Sequence, residues 1–296
     1  MEFILDIHAR RIREGRPCLS FEFFPPKTEE GERNLLEKTV PALLQIRPDY
    51  CSVTYGAGGS TRDKTLGIVE RIQNQHRLVA MAHLTCVNST RDQLQAVLED
   101  AKGRSIRNIL ALRGDPPAGS AEWQKVDGGF EYSWELVRFI REMGGFCIGV
   151  AGFPEGHIAC KEGREVDWER LKHKVDQGAD FVITQLFFDN ADFFAFQDHL
   201  RNRLGSHVTL VPGILPVLSG SQLQKFTALC GARIPAPMLA RLQEIGADDE
   251  AAIAFGIEYA ARQCRELLDR GVNNLHFYCL NKSRSTVEVV QRLGLA

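Results

Sequence analysis

The stretch CLSFEFFPP, residues 18–26, is the one from which the fold can be read outward. It is rich in aromatic residues and ends in two prolines, which cannot continue a hydrogen-bonded ladder. That is the signature of a short strand with a defined stop. Alternation puts Phe21 and Phe23 on one face and Ser20, Glu22 and Phe24 on the other. Phenylalanines that face covering helices would leave Glu22 pointing to the opposite side, at the strand's C-terminal end. Seven further runs have the same character: 49–56, 78–86, 106–114, 146–153, 181–188, 208–216 and 274–281. Segments with helical spacing separate them, such as 61–75 and 90–102. Gly103, Gly144, Gly145, Gly178 and Gly271 stand where helices should end, just before the next strand. Eight strands alternating with helices is the count of a single (β/α)8 TIM barrel. No linker rich in Pro, Gly or Ser divides the chain, so residues 1–296 read as one domain. The long interval between strands seven and eight has room for an extra helix over 237–245, ahead of a long helix over 248–269.

A doubly wound open sheet is the competing arrangement. Its dinucleotide fingerprint is absent, because Gly56-Ala57-Gly58-Gly59 lacks the third glycine at the required offset. Polar residues also sit at the ends of several different strands: Glu22, Thr54, His83, Asp115, Gln185 and Asn281. A barrel gathers such positions around one mouth.

Composition removes several classes of function. Apolar residues make up 44% and charged residues 25%, which is ordinary for a globular chain. Lysine and arginine total 36 against 38 acidic residues, a net charge of −2, so no basic surplus exists to bind nucleic acid. No stretch approaches the length of a membrane span. The N-terminus reads as neither signal peptide nor anchor, and a cytoplasmic location is expected. The eight cysteines show no CxxC spacing. They read as reduced thiols, and no metal site is expected.

Glu22 is the first candidate for chemistry. A carboxyl among aromatics should have a raised pKa and serve as a general acid near neutral pH. The alternative is a structural ion pair with an arginine such as Arg113. Gly114 would let backbone approach a ligand, with Asp115 at the rim beyond it. The Val53–Thr61 turn could wrap a large flat or phosphorylated ligand, or be a plain loop. His83 and His157 are lone histidines, for which a hydrogen-bonded structural role is the simpler reading. Arg170, Lys172, His173 and Lys174 form a basic helix segment, either a solvated face or a site for a diphosphate.

Taken together, SFEFFPPKT, VTYGAGG, HLTC, LALRGDPP, FPEGH, KVDQGADFVITQLFFD, PGILPV, RIPAPM and HFYCLN span residues 18–282 in order. This set resembles the methylenetetrahydrofolate reductase family, in its short bacterial form without a regulatory domain. The resemblance implies a (β/α)8 barrel holding non-covalent FAD. It implies reduction of 5,10-methylenetetrahydrofolate to 5-methyltetrahydrofolate by NAD(P)H, with NADH preferred, in a ping-pong reaction that feeds methionine synthesis. A homo-oligomer is also implied. On the matching positions, Glu22 falls on the general acid and Asp115 on the carboxylate near flavin and folate. Thr54, Tyr55, Ala57, His83, Arg113, Gly114, Asp115, Tyr132, Ala151, His157, Asp167 and Lys174 fall on positions lining FAD. Phe153, Arg170 and His173 replace other residues there. Gln185, Gln222, Phe226 and Lys282 fall on positions for folate or nicotinamide, Lys282 where arginine also occurs.

Overall fold

The computed structural model describes residues 2–55, 62–114, 125–220, 223, 227, 228 and 230–296. Eight parallel strands close into a barrel in chain order: β1 (Cys18–Phe23), β2 (Tyr50–Val53), β3 (Val79–Thr85), β4 (Asn108–Leu112), β5 (Cys147–Gly152), β6 (Phe181–Leu186), β7 (Thr209–Ile214) and β8 (Asn274–Tyr278). All eight expected strands are present, each trimmed by a few residues where the chain turns into a loop.

The helices are α1 (Ile4–Glu14), α2 (residues 29–44, with a π-type turn at Leu35–Thr39), α3 (Arg62–His76), α4 (Arg91–Gly103) and α5 (Ser133–Met143). They continue with α6 (Arg164–Asp176), α7 (Asn190–Asp198, running on into a π-type turn), α8 (Ala236–Ile245), α9 (Asp249–Asp269) and α10 (Arg284–Arg292). The extra helix and the long helix between β7 and β8 lie where the sequence places them, with Asp248 capping α9 by accepting from the Ala251 N–H. One expected helix end moves. Gly103 is still helical, and the left-handed residue is Ser105 at φ 59°. The Ile106 N–H closes the helix on the Ala101 carbonyl, so a polar residue takes the role expected of glycine. Gly144, Gly178 and Gly271 do carry positive φ.

Strand alternation sorts the barrel into two apolar regions. Outward residues Phe21, Phe23, Cys51, Val53, Ala82, Ile109, Val150 and Phe277 pack under the helices in the main core. Inward residues Cys18, Tyr50, Met81, Leu110, Cys147, Phe181, Ile183 and Val211 fill the lower barrel, where Ile4 and Ile7 of α1 plug the opening. Gly149 belongs to this inner layer. A Cβ there would sit 2.7 Å from the Phe181 ring, so the aromatic fills the space that a side chain would need.

A third apolar cluster lies outside the barrel, beyond the ends of β6 and β7. Leu186, Phe188, Leu215, Val217, Leu223, Met238 and Leu242 form it, with Tyr278 and Leu280 against it. It seats the β7–β8 insertion beside the barrel mouth. Among the described residues, no helix is long and apolar enough to cross a membrane. All eight cysteines are free thiols, six of them buried.

Candidate active site

The upper barrel is polar where the lower barrel is apolar. Period-two alternation continues inward through Ser20 and Glu22 on β1, Ser52 on β2, His83 and Thr85 on β3, and His276 and Tyr278 on β8. Glu22 is central. Its Oε2 lies 3.4 Å from His83 Nε2, 3.7 Å from His276 Nε2 and 3.5 Å from Ser52 Oγ. His276 is fully buried, and its other nitrogen, Nδ1, is 2.8 Å from Ser20 Oγ. Both facing histidine nitrogens are buried and complete no hydrogen bond. Among the described residues, no three His, Cys, Asp or Glu side chains are arranged to hold a metal ion.

This surrounding overturns one expectation. Burial pushes the Glu22 carboxyl up, but the His276 ring, the attraction of His83 in its protonated form and the Ser52 hydroxyl outweigh it. Its pKa stays below the ordinary carboxylate value. Aromatics were expected to dominate, but Phe21 and Phe23 face the helices. The neighbours that matter are imidazoles brought in from β3 and β8. The counterpart suggested by sequence, Arg113, is not the ion-pair partner that Glu22 finds. Burial lowers the His83 pKa to about 4, only partly offset by Glu22, so the pair is carboxylate and neutral imidazole at neutral pH.

The backbone around Glu22 is clasped by the β8 loop. The Cys279 thiol donates to the Glu22 carbonyl at 3.0 Å. The Asn281 side chain accepts from the Phe24 N–H at 3.1 Å and donates to the Phe24 carbonyl at 2.8 Å.

A second group forms at the end of β5 and along α6. Lys174 Nζ donates to the Ala151 carbonyl at 2.7 Å, and burial lowers its pKa to about 8 while Asp167 opposes the shift. Asp167 accepts from the His157 N–H at 3.1 Å, and burial raises its own pKa. The Phe153 ring packs edge-on against His157 at 4.6 Å between centroids. The basic segment of α6 therefore divides. Lys174 turns inward, whereas Arg170 pairs with Glu162, Lys172 with Asp176, and His173 lies edge-on to Trp134 on the surface.

The other sites expected from sequence are placed as follows. Thr54 and Tyr55 follow β2, the Thr54 N–H bonding the Phe23 carbonyl at 2.8 Å. Arg113 and Gly114 end β4. Gly114 has φ 89°, and a Cβ on it would stand 2.6 Å from Val87 Cγ1, so only glycine fits. Tyr132 precedes α5 and is 47% exposed. Gln185 sits at the bulge where β6 slips against β7 between Ile183 and Leu186, its side-chain oxygen accepting from the Leu186 N–H. Lys282 is exposed in the β8 loop. Ala57, Asp115, Gln222 and Phe226 lie outside the described residues.

Ser20, Ser52, His276 and Cys279 have no site role in the sequence reading. A signal was present: alternation in HFYC gives His276 and Tyr278 one face, and the Ser20 and Glu22 face of β1 is the matching one. Only closure of β8 onto β1 makes the two faces the same face.

A model of the methylenetetrahydrofolate reductase family matches residues 7–294. "Methylenetetrahydrofolate reductase (NADH) 1" of Arabidopsis thaliana is 41% identical over 292 residues, covering 95% of this chain and 49% of its own length. The chain thus spans about half the length of that plant relative. "5,10-methylenetetrahydrofolate reductase" of Escherichia coli is 37% identical over 282 residues, covering 95% of this chain and 92% of its own length. The counterpart in Pectobacterium carotovorum is 38% identical with the same coverage. A Clostridium thermocellum protein, described as binding two copies of 5-methyl-5,6,7,8-tetrahydrofolic acid, aligns with a TM-score of 0.62 at 13% identity, covering 97% of this chain and 98% of its own. At that identity the likeness is one of fold.

Proposed function

The chain belongs to the methylenetetrahydrofolate reductase family, and on that premise we propose that it reduces 5,10-methylenetetrahydrofolate to 5-methyltetrahydrofolate with NAD(P)H through non-covalent FAD. The observation that carries this reading is the Glu22 carboxylate, set between His83 and His276 at the barrel mouth. A carboxyl with 19% of its side chain exposed can exchange a proton with a bound ligand.

The residues present fit FAD. Gly114, at φ 89°, lets the end of β4 pack directly against Val87 and Thr85. Thr85 Oγ1, buried and without a hydrogen-bond partner, offers a polar group beside it. Lys174, partly neutral in a partly buried position next to Asp167, is a cation that a diphosphate would stabilise. Thr54, Tyr55, Ala57, His83, Arg113, Tyr132, Ala151, Phe153, His157, Asp167, Arg170 and His173 complete the proposed lining. When bound, FAD supplies the hydride relay from nicotinamide to folate.

The chain's own part is positioning and proton transfer. Ligand in the barrel mouth removes the remaining water from Glu22. That drives the carboxyl toward its protonated form, which the unliganded site disfavours. Glu22 then gives its proton to the folate ring nitrogen as the imidazolidine ring opens to an iminium ion. Asp115 stabilises the developing cation electrostatically. Gln185, Gln222, Phe226 and Lys282 hold folate and nicotinamide in turn, so the two substrates share one place. Residues 1–296 act as one catalytic unit. The same reading takes NADH as the preferred reductant, as the plant relative's name carries it. It takes the protein as a cytoplasmic homo-oligomer serving methionine synthesis.

The test is anaerobic. The yellow protein is reduced with NADH, methylenetetrahydrofolate is added, and the flavin spectrum is followed. Rapid reoxidation is expected. A colourless protein that FAD cannot reconstitute, or a reduced flavin that folate leaves unchanged, overturns the reading.

A further inference from the structure

Main-chain pairing between β1 and β8 ends at Glu22 opposite Tyr278. Two residues later the ladder would pair Phe24 with Leu280, but Leu280 and Asn281 both lie at positive φ, 51° and 56°, and the chain turns away. Asn281 takes over with its side chain. Its carboxamide meets the Phe24 N–H at 3.1 Å and the Phe24 carbonyl at 2.8 Å, the same two groups that a strand neighbour would satisfy. An amide side chain is chemically a peptide group, so it continues the ladder by one step. The Cys279 thiol adds a contact to the Glu22 carbonyl at 3.0 Å, and the Asn281 carbonyl accepts from the Thr39 hydroxyl of α2 at 3.3 Å. Two successive non-glycine residues at positive φ are costly, and such strain persists only where the surroundings over-determine it.

We infer that Asn281 is a positioning residue for the reaction, its carboxamide acting as a surrogate strand that fixes the backbone carrying Glu22. The inference rests on the proposed reductase reading for its kinetic consequence, but not for the clasp itself. Glu22 is the last residue of β1 paired with β8, although Phe23 still pairs with Val53 of β2, and Pro25 and Pro26 beyond Phe24 donate no hydrogen bond. Beyond Glu22 the strand is held to β8 through Asn281. Without it the carboxyl would lose its fixed placement between His83 and His276. Proton transfer depends steeply on such placement.

The test uses Asn281→Gly, with Asn281→Ala beside it. Glycine accepts the positive φ freely, so it removes the carboxamide without adding backbone strain. Amide hydrogen exchange over residues 20–26, measured on the unliganded protein, is expected to quicken at least tenfold in Asn281→Gly. Flavin content and reduction by NADH should stay within about twofold. Reoxidation by methylenetetrahydrofolate should slow at least tenfold in its limiting rate, with little change in the folate concentration needed. Unchanged exchange together with unchanged reoxidation overturns the inference. So does equal slowing of both half-reactions, or a change confined to folate affinity. If the parent protein itself is not reoxidised by folate, the reductase reading fails, and hydrogen exchange still decides whether the clasp exists.

Discussion

His83 Nε2 stands 3.4 Å from Glu22 Oε2, although the two residues lie on strands that do not pair. The contact spans the barrel interior above the short Ser52 side chain of β2. It leaves the only carboxylate placed in the described upper barrel beside an imidazole that burial keeps neutral.

Glu22→Gln should separate the two half-reactions. The change is nearly isosteric, so Phe21 and Phe23 should keep their packing and FAD should remain bound. Hydride transfer from NADH needs no acid and should persist. General acid catalysis is worth about 10²–10⁴-fold, and the folate half-reaction should fall by that factor in stopped-flow measurements. Reoxidation at the parent rate would show that Glu22 is not the acid.

Asp115→Asn should slow folate reduction more than nicotinamide oxidation. Losing one charge aimed at a developing cation costs roughly 2–4 kcal/mol, by analogy with an oxyanion-hole donor. Equal slowing of both steps, read in the same instrument, would assign Asp115 to the flavin alone.

Lys174 should give FAD binding a pH dependence with a definite sign. Its pKa in the unliganded site is about 8, so the ammonium is progressively lost as pH rises through that value. A diphosphate ligand binds the charged form, so FAD affinity should fall above about pH 8. Lys174→Arg stays charged and should flatten the curve. Fluorescence titration of apoprotein with FAD at pH 7 and pH 9 distinguishes the two; equal pH dependence in both proteins removes Lys174 from the diphosphate site.

Gly114→Ala should destabilise the chain and weaken flavin binding together. The φ of 89° and the 2.6 Å approach to Val87 both oppose a methyl group there. Strain of this kind costs on the order of 1–3 kcal/mol. Calorimetry of the apoprotein reads the first effect and flavin content the second. An unchanged Tm would mean that the β4 end relaxes freely.

His8, at the bottom of the barrel, should contribute acid sensitivity unrelated to catalysis. It lies between Tyr50 and Phe181, and burial lowers its pKa to about 4. The unfolded chain takes up that proton below pH 6.5, while the folded state resists until about pH 4. Stability contributed by neutral His8 is therefore lost as pH falls across that window, by about 3 kcal/mol. In His8→Gln the fall of Tm between pH 6.5 and 4 should be shallower. An identical slope would place the acid sensitivity at other groups, with His83 the first to examine.

The barrel and the faces of its strands are legible in the residues alone. Period-two patterning is local: Phe21 and Phe23 choose the helix side because they are apolar neighbours two residues apart, wherever the rest of the chain goes. The count of eight such runs, with helices between, leaves few other ways to bury both faces. The inward position of Glu22 follows from the same pattern. What surrounds Glu22 does not. His83 reaches it across β2, and His276 only through closure of β8 onto β1, and together they turn an expected rise in its pKa into a fall. Lys174 and Arg170 look alike in a basic helix segment, yet one turns toward the Ala151 carbonyl and the other to Glu162 on the surface. Ser105 ends α4 in the conformation expected of Gly103. Side-chain electrostatics and helix ends depend on partners far along the chain, and only the folded barrel brings those partners within a few ångströms.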